Sequence, residues 1–183
     1  MSAAATASAA PVDDGALEAV RRADWRFLLP TPRLGRVAYL APHEPELVVA
    51  LSLVSRELDL HGAGGPHDVV VVTGGAPAVA PRARELLRPG GWLYAEARGR
   101  NVRAWARELE GAGLQEVAAH WLWPDARSCH EITPLEPRPL MFALDRRDPG
   151  ARMRLRVRAA RVLAASGMFA AVARTVAIVG RRP

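Results

Sequence analysis

The chain has 183 residues, enough for one domain with a sizeable core, and carries 25 basic against 19 acidic residues for a formal net charge of +6. Every basic residue is arginine, so no lysine Schiff base and no phosphate-binding Walker lysine can form. A single cysteine, Cys129, excludes an intramolecular disulfide framework and a site of several thiolates, in keeping with a reducing compartment.

Residues 1–16, "MSAAATASAAPVDDGA", lack the basic start and apolar run of a signal peptide and are expected to form a disordered leader. A single α/β domain over 17–183 is expected to follow, with the cytoplasm as the default location. "LEAVRRADWRFLLP" predicts a short helix and then an extended stretch closed by Pro30 and Pro32. "GRVAYLA" predicts a buried strand. "PELVVALSLVSREL" predicts a helix, because Pro45 suits a first turn and Leu47, Ala50, Leu51, Val54 and Leu58 share one face.

"HGAGGPH" is a loop, and its glycines precede a strand rather than a helix, the reverse of a phosphate-binding order. "DVVVVTGG" is the clearest strand, four valines in succession suiting a strand covered on both faces. "APAVAPRARELLRPGG" predicts a helix with a Pro-Gly-Gly exit, and "WLYAEA" a further strand. "NVRAWARELEGAG" predicts a helix with Asn101 as N-cap and Gly111 or Gly113 at its end, and "LQEVAAHWLW" a strand. "CHEITPL" suits a short strand, residues 151–173 a helix and "RTVAIVG" a last strand. Residues 152–158 also alternate at period two, which suits a strand. Val162 to Ala173 is apolar, but Arg174 ends the run short of the roughly 20 residues that a membrane span needs.

This alternation argues for a mostly parallel sheet with helices on both faces. Charge is divided unevenly along it. Residues 1–145 hold 15 Arg against 18 Asp and Glu, whereas residues 146–183 hold 10 Arg against Asp148 alone. That basic segment suits either an anionic partner or a solvated helix face.

The succession resembles the class I S-adenosylmethionine-dependent methyltransferase family, which implies a shortened Rossmann-like sheet with an antiparallel last strand. "HDVVVVTGG" resembles its fourth strand, "RELLRPGGWLYAEA" its Pro-Gly-Gly turn and fifth strand, and "ELEGAGLQEVAAHW" its last helix and sixth strand. "TVAIVGRRP" resembles its seventh, antiparallel strand. The resemblance implies a glycine-rich cofactor loop after the first strand, where backbone N–H groups approach the nucleotide. Here those positions read Ala41, Pro42, His43, Glu44 and Pro45, which remove two donors and add a carboxylate. The resemblance also implies two more strands between Arg36 and Asp68, the second of the family's strands ending in an acid that holds the ribose. The interval accommodates about one strand-helix unit, and Asp59, the nearest acid, follows a predicted helix.

Unusual residue types gather in "HWLWPDARSCHEITPL", a stretch loosely similar to ones in methyltransferase-like proteins of natural-product and polysaccharide gene clusters. His120 or His130 could serve as a general base oriented by Asp125 or Glu131, with Trp121 and Trp123 walling a pocket. Equally, the tryptophans suit a core face and Asp125 a turn. Thr73 stands at the carboxyl end of the best strand, where open α/β sheets bind ligands, although Gly74 and Gly75 also suit a plain turn. No metal set has standard ligand spacing.

The leading expectation is a degenerate methyltransferase-fold accessory protein of a biosynthetic complex, with no cofactor, hetero-oligomeric, docking an acidic partner or precursor peptide through Arg152, Arg154, Arg156 and Arg158. The alternative is an active S-adenosylmethionine-dependent methyltransferase acting on a small molecule or sugar-like substrate. Nucleic-acid binding ranks behind both, because no aromatic residues interleave the arginines.

Overall fold

The computed structural model describes residues 14–40, 42–146 and 154–183. Helix α1 (Asp14–Arg21) and a 3-10 turn (Asp24–Leu28) lead into β1 (Leu34–Leu40), α2 (Pro45–Val54), β2 (Ser55–Asp59) and β3 (His67–Thr73). There follow α3 (Ala80–Leu86), β4 (Leu87–Ala97), α4 (Val102–Gly111), β5 (Gln115–Trp123), β6 (Glu131–Pro134), α5 (Pro137–Asp145), α6 (Arg154–Ala165), α7 (Phe169–Val172) and β7 (Val176–Arg181). The first 13 residues of the expected leader lie outside the described residues, and its last three belong to α1.

The strands form one sheet in the order β2-β1-β3-β4-β7-β5-β6. β2, β1, β3 and β4 run parallel, while β7 inserts antiparallel to both β4 and β5, as expected for the last strand. Alternate side chains supply two cores. Val70, Val72, Leu93, Ala95 and Ile178 meet α3, α4, α5 and α7 on one face. Val37, Tyr39, Val71, Tyr94 and Val179 meet α2 and the N-terminal segment, through Ala23, Trp25 and Leu29, on the other. Period-two alternation therefore gives β1, β3, β4 and β7 an apolar residue on each face, and both faces are covered.

Several sequence expectations change in detail. The helix expected to run to Leu58 stops at Val54, where Ser55 N–H still reaches the Leu51 carbonyl. Residues 55–59 then pair with β1, Arg36 opposite Glu57, so Asp59 ends a strand rather than following a helix. The Pro-Gly-Gly element is not a helix exit but lies inside β4. Pairing with β3 jumps from His67–Leu87 to Val69–Trp92, and Gly90 takes the left-handed φ of 77° that the bulge requires. The expected 151–173 helix is α6 and α7, separated by Gly167 at φ 69°, and α5 was not anticipated. Residues 151–153 lie outside the described residues, but helix over 154–165 decides against a strand there. Among the described residues, no helix is long and apolar enough to cross a membrane.

Candidate functional site at the carboxyl rim of the sheet

The carboxyl ends of β1, β3, β4 and β5 and the start of β7 share one rim, where open parallel sheets place ligands. Between β1 and β4 this rim is occupied by the protein's own side chains. Arg22, just after α1, is only 4% exposed and forks onto Glu96 near the end of β4, Nη1 to Oε1 at 2.6 Å and Nη2 to Oε2 at 2.8 Å. Its nitrogens also donate to the Ala126 carbonyl at 3.2 Å and to Glu44 Oε2 at 3.2 Å. Burial by itself would lower the Arg22 pKa, but the hydrogen bond and charge of Glu96, reinforced by Glu44, outweigh it and raise it. The guanidinium is a fixed charge with planar, two-point recognition of a carboxylate.

Aromatic groups seal this ion pair. Trp25 stacks on Tyr94 with ring centroids 3.8 Å apart, and Tyr94 donates its hydroxyl to Glu96 Oε1 at 2.8 Å. Burial and then the Glu96 charge hold the Tyr94 phenol well above its ordinary pKa, so it remains a donor. Alongside, the Tyr39 and Thr73 hydroxyls lie 2.6 Å apart and both reach the Pro42 carbonyl, while Glu44 N–H donates to Tyr39 at 3.0 Å. Gly74, at φ 64°, lies close under Pro42: a Cβ there would stand 3.2 Å from Pro42 Cγ. The loops after β1 and β3 are thus tied to each other.

Several groups that the family resemblance would assign to S-adenosylmethionine are already engaged by the chain itself. The Glu44 N–H is already bonded to Tyr39, Pro45 has no N–H, and the carboxylates of Glu44 and Glu46 stand at the first turn of α2. Asp59 does end the strand beside β1, but its carboxylate accepts from the backbone N–H groups of His61, Gly62 and Gly64 at 2.8, 2.9 and 3.0 Å. Despite the opposing cost of burial, those bonds hold its pKa below the usual carboxylate range. It fixes its own loop, with His67 Nε2 at 3.2 Å.

The sequence-predicted residues are distributed around this rim. Thr73 is buried and turned onto Tyr39. Trp121 is buried edge-on against Phe169 at 4.8 Å, while Trp123, 38% exposed, meets Trp121 at 5.3 Å. His120 is half-buried within β5, its Nδ1 without a hydrogen-bond partner among the described residues, and burial lowers its pKa against the opposing charge of Glu136. Asp125 Oδ1 accepts from the N–H groups of Ser128 and Arg127 and from the Ser128 hydroxyl, so it caps a turn and its pKa is lowered. His130 is exposed at the start of β6, its N–H bonded to the Trp123 carbonyl. No hydrogen bond joins His120, Asp125 and His130 among the described residues. Arg158 is exposed on α6. Arg154 and Arg156 lie on the same helix, and Arg152 falls outside the described residues. Burial raises the Cys129 pKa, disfavouring a thiolate.

Sequence reasoning passed over Arg22, Tyr94 and Glu96. The signal was available in "WLYAEA", where a carboxylate inside an otherwise apolar strand requires a buried partner. Which of the 25 arginines supplies it was not available, since Arg22 lies 74 positions away.

No protein-family model matches the sequence, and no curated protein matches it. Among solved structures the chain is similar to a SAM-dependent methyltransferase from Thermotoga maritima, at 12% identity and TM-score 0.44 over 92% of this chain and 89% of that one. It is similar to precorrin-6y C5,15-methyltransferase from Geobacter metallireducens, at 10% identity and TM-score 0.40 over 98% and 94%. It also resembles phosphoethanolamine N-methyltransferase 2 of Haemonchus contortus solved with S-adenosyl-L-methionine, at 10% identity and TM-score 0.45, covering 89% of this chain and 52% of that one, about half its length.

Proposed function

We propose that this methyltransferase-like α/β domain, with β7 reversed between β4 and β5, works without S-adenosylmethionine as a non-catalytic subunit or scaffold of a biosynthetic enzyme complex. The observation that carries this reading is Arg22, buried between Glu96 and Glu44 at the rim that the family resemblance assigns to the cofactor. A sulfonium cofactor would have to displace a guanidinium already paired with two carboxylates.

The partner surface we assign to α6, where Arg158 is exposed, Val162 is 69% exposed and no acidic residue occurs in the first turn. Basic and apolar groups together suit an acidic amphipathic segment, such as a precursor peptide of a natural-product or peptide-modifying system in the cytoplasm. Calorimetric titration of the full chain with S-adenosylmethionine tests the first part: no binding is expected at micromolar concentrations, and micromolar affinity would overturn it.

One observation favours the alternative, an active methyltransferase on a small molecule. Asp59 ends the strand beside β1, where the resemblance places the ribose-binding acid. That reading requires cofactor-dependent product and loss of turnover in His130→Ala.

A further inference from the structure

A second region of the same rim is built differently. Here β4 leaves the sheet at Ala97 and the chain returns to start β7 at Val176. Gly99 N–H donates to the Ala173 carbonyl at 3.0 Å, stitching the two passages together. The approach is so close that a Cβ on Gly99 would fall 1.8 Å from the Ala170 carbonyl oxygen and 2.6 Å from that of Ala173. Only glycine allows this, and the consequence is electrostatic. Arg98 and Arg100 flank Gly99 on one passage, and Arg174 follows Ala173 on the other.

The three arginines line a cleft of about 590 Å³ together with Gly99, Thr175 and Asp125. All three are exposed, and none of their guanidinium groups forms a hydrogen bond or ion pair among the described residues. By contrast, Arg22, Arg36, Arg88, Arg161 and Arg181 each pair with a carboxylate. Asp125 cannot neutralise the cleft: one oxygen is spent on the Ser128 and Arg127 turn, and the group stays ionised because those bonds depress its pKa. Three guanidinium groups against one carboxylate leave a formal excess of two positive charges.

We propose that this cleft binds the dianionic phosphate of a phosphate monoester. Guanidinium forks match phosphate oxygens two at a time, the charge excess equals that of the dianion near neutral pH, and the volume suits a small metabolite. Asp125 and Thr175 also line the cleft, so a carboxylate and a hydroxyl are available to the ester's organic part. This site is separate from the Arg22 ion pair and stands whether or not the protein is a methyltransferase.

Titration calorimetry of the full chain at low ionic strength tests it, with glycerol 3-phosphate as the probe and inorganic phosphate and neutral glycerol as comparators. Saturable binding of glycerol 3-phosphate is expected, tighter than inorganic phosphate, with none for glycerol. Arg98→Ala/Arg174→Ala should weaken it by at least about tenfold, whereas Arg103→Ala, an exposed arginine on α4, should not change it. Amide NMR locates the ligand independently of any variant, with Gly99 and Thr175 N–H signals expected to move. Absence of saturable binding, tighter binding of inorganic phosphate, affinity that survives the double variant, an equal loss in Arg103→Ala, or shifts elsewhere on the protein would each overturn the assignment.

Discussion

Arg22 illustrates how much one side chain does here. At 4% exposure it is paired with Glu96, itself 9% exposed, so removing either partner strands a buried charge. Arg22→Ala should therefore cost about 3 kcal/mol in urea unfolding. Arg22→Met/Glu96→Gln should recover much of that loss, because neither charge then remains unpaired. An additive double variant would show that the groups act independently. His120 makes a second prediction at this scale. Its folded pKa is lowered, so as pH falls below about 6.5 the unfolded chain takes up a proton before the folded one does. Stability is thereby lost from that value down to the depressed folded pKa. Urea midpoints between pH 7.5 and about 5 should decline less steeply in His120→Gln than in the unsubstituted protein.

At the scale of elements, the positions that matter most are backbone contacts rather than side-chain chemistry. Gly99 has no room for a methyl group against the carbonyls of Ala170 and Ala173. Gly99→Ala should destabilise by roughly 2–4 kcal/mol and shift the amide signals of α7, which distinguishes a displaced helix from general loosening. Gly91 in the β4 bulge is confined to a lesser degree, a Cβ there falling 2.9 Å from the Arg88 carbonyl oxygen. The elements were legible where apolar periodicity was long and uninterrupted. β3, β5 and α4 stand close to their expected positions because valine runs and a 3.6-residue stripe have one good burial each. β2 was not legible. "SREL" continues the α2 pattern, and only the open edge of β1, with Arg36 beside Glu57 at 2.9 Å, makes a strand the better use of those residues.

For the whole molecule, the N-terminal segment is part of the core rather than an appendage. Ala23, Trp25 and Leu29 cover the face of β1, β3 and β4 that α2 leaves open. Deleting residues 1–29 should remove several kcal/mol, since burial of each large apolar side chain contributes about 1.5–3 kcal/mol. The measurable result is increased dye binding to exposed apolar surface and loss of a single cooperative unfolding transition. A truncated chain that unfolds cooperatively at the same urea midpoint would show that the segment is dispensable.

Composition and apolar spacing by themselves determined the class of fold, a mostly parallel sheet with helices on both faces, because burial periodicity is local, whereas the reversed last strand was expected only from the family resemblance. They also ruled out lysine chemistry and multi-thiolate sites, since those depend only on which residues exist. That no glycine stands between β1 and α2 was visible as "APHEP" for the same reason. What fills the rim was decided only by tertiary structure. Arg22, Glu44 and Glu96 meet across 22 and 74 positions of sequence, and Arg98 and Arg174 line one cleft because the Gly99–Ala173 hydrogen bond brings two distant passages together. Pairings at that separation follow from strand order and crossover geometry, which spacing along the chain does not encode.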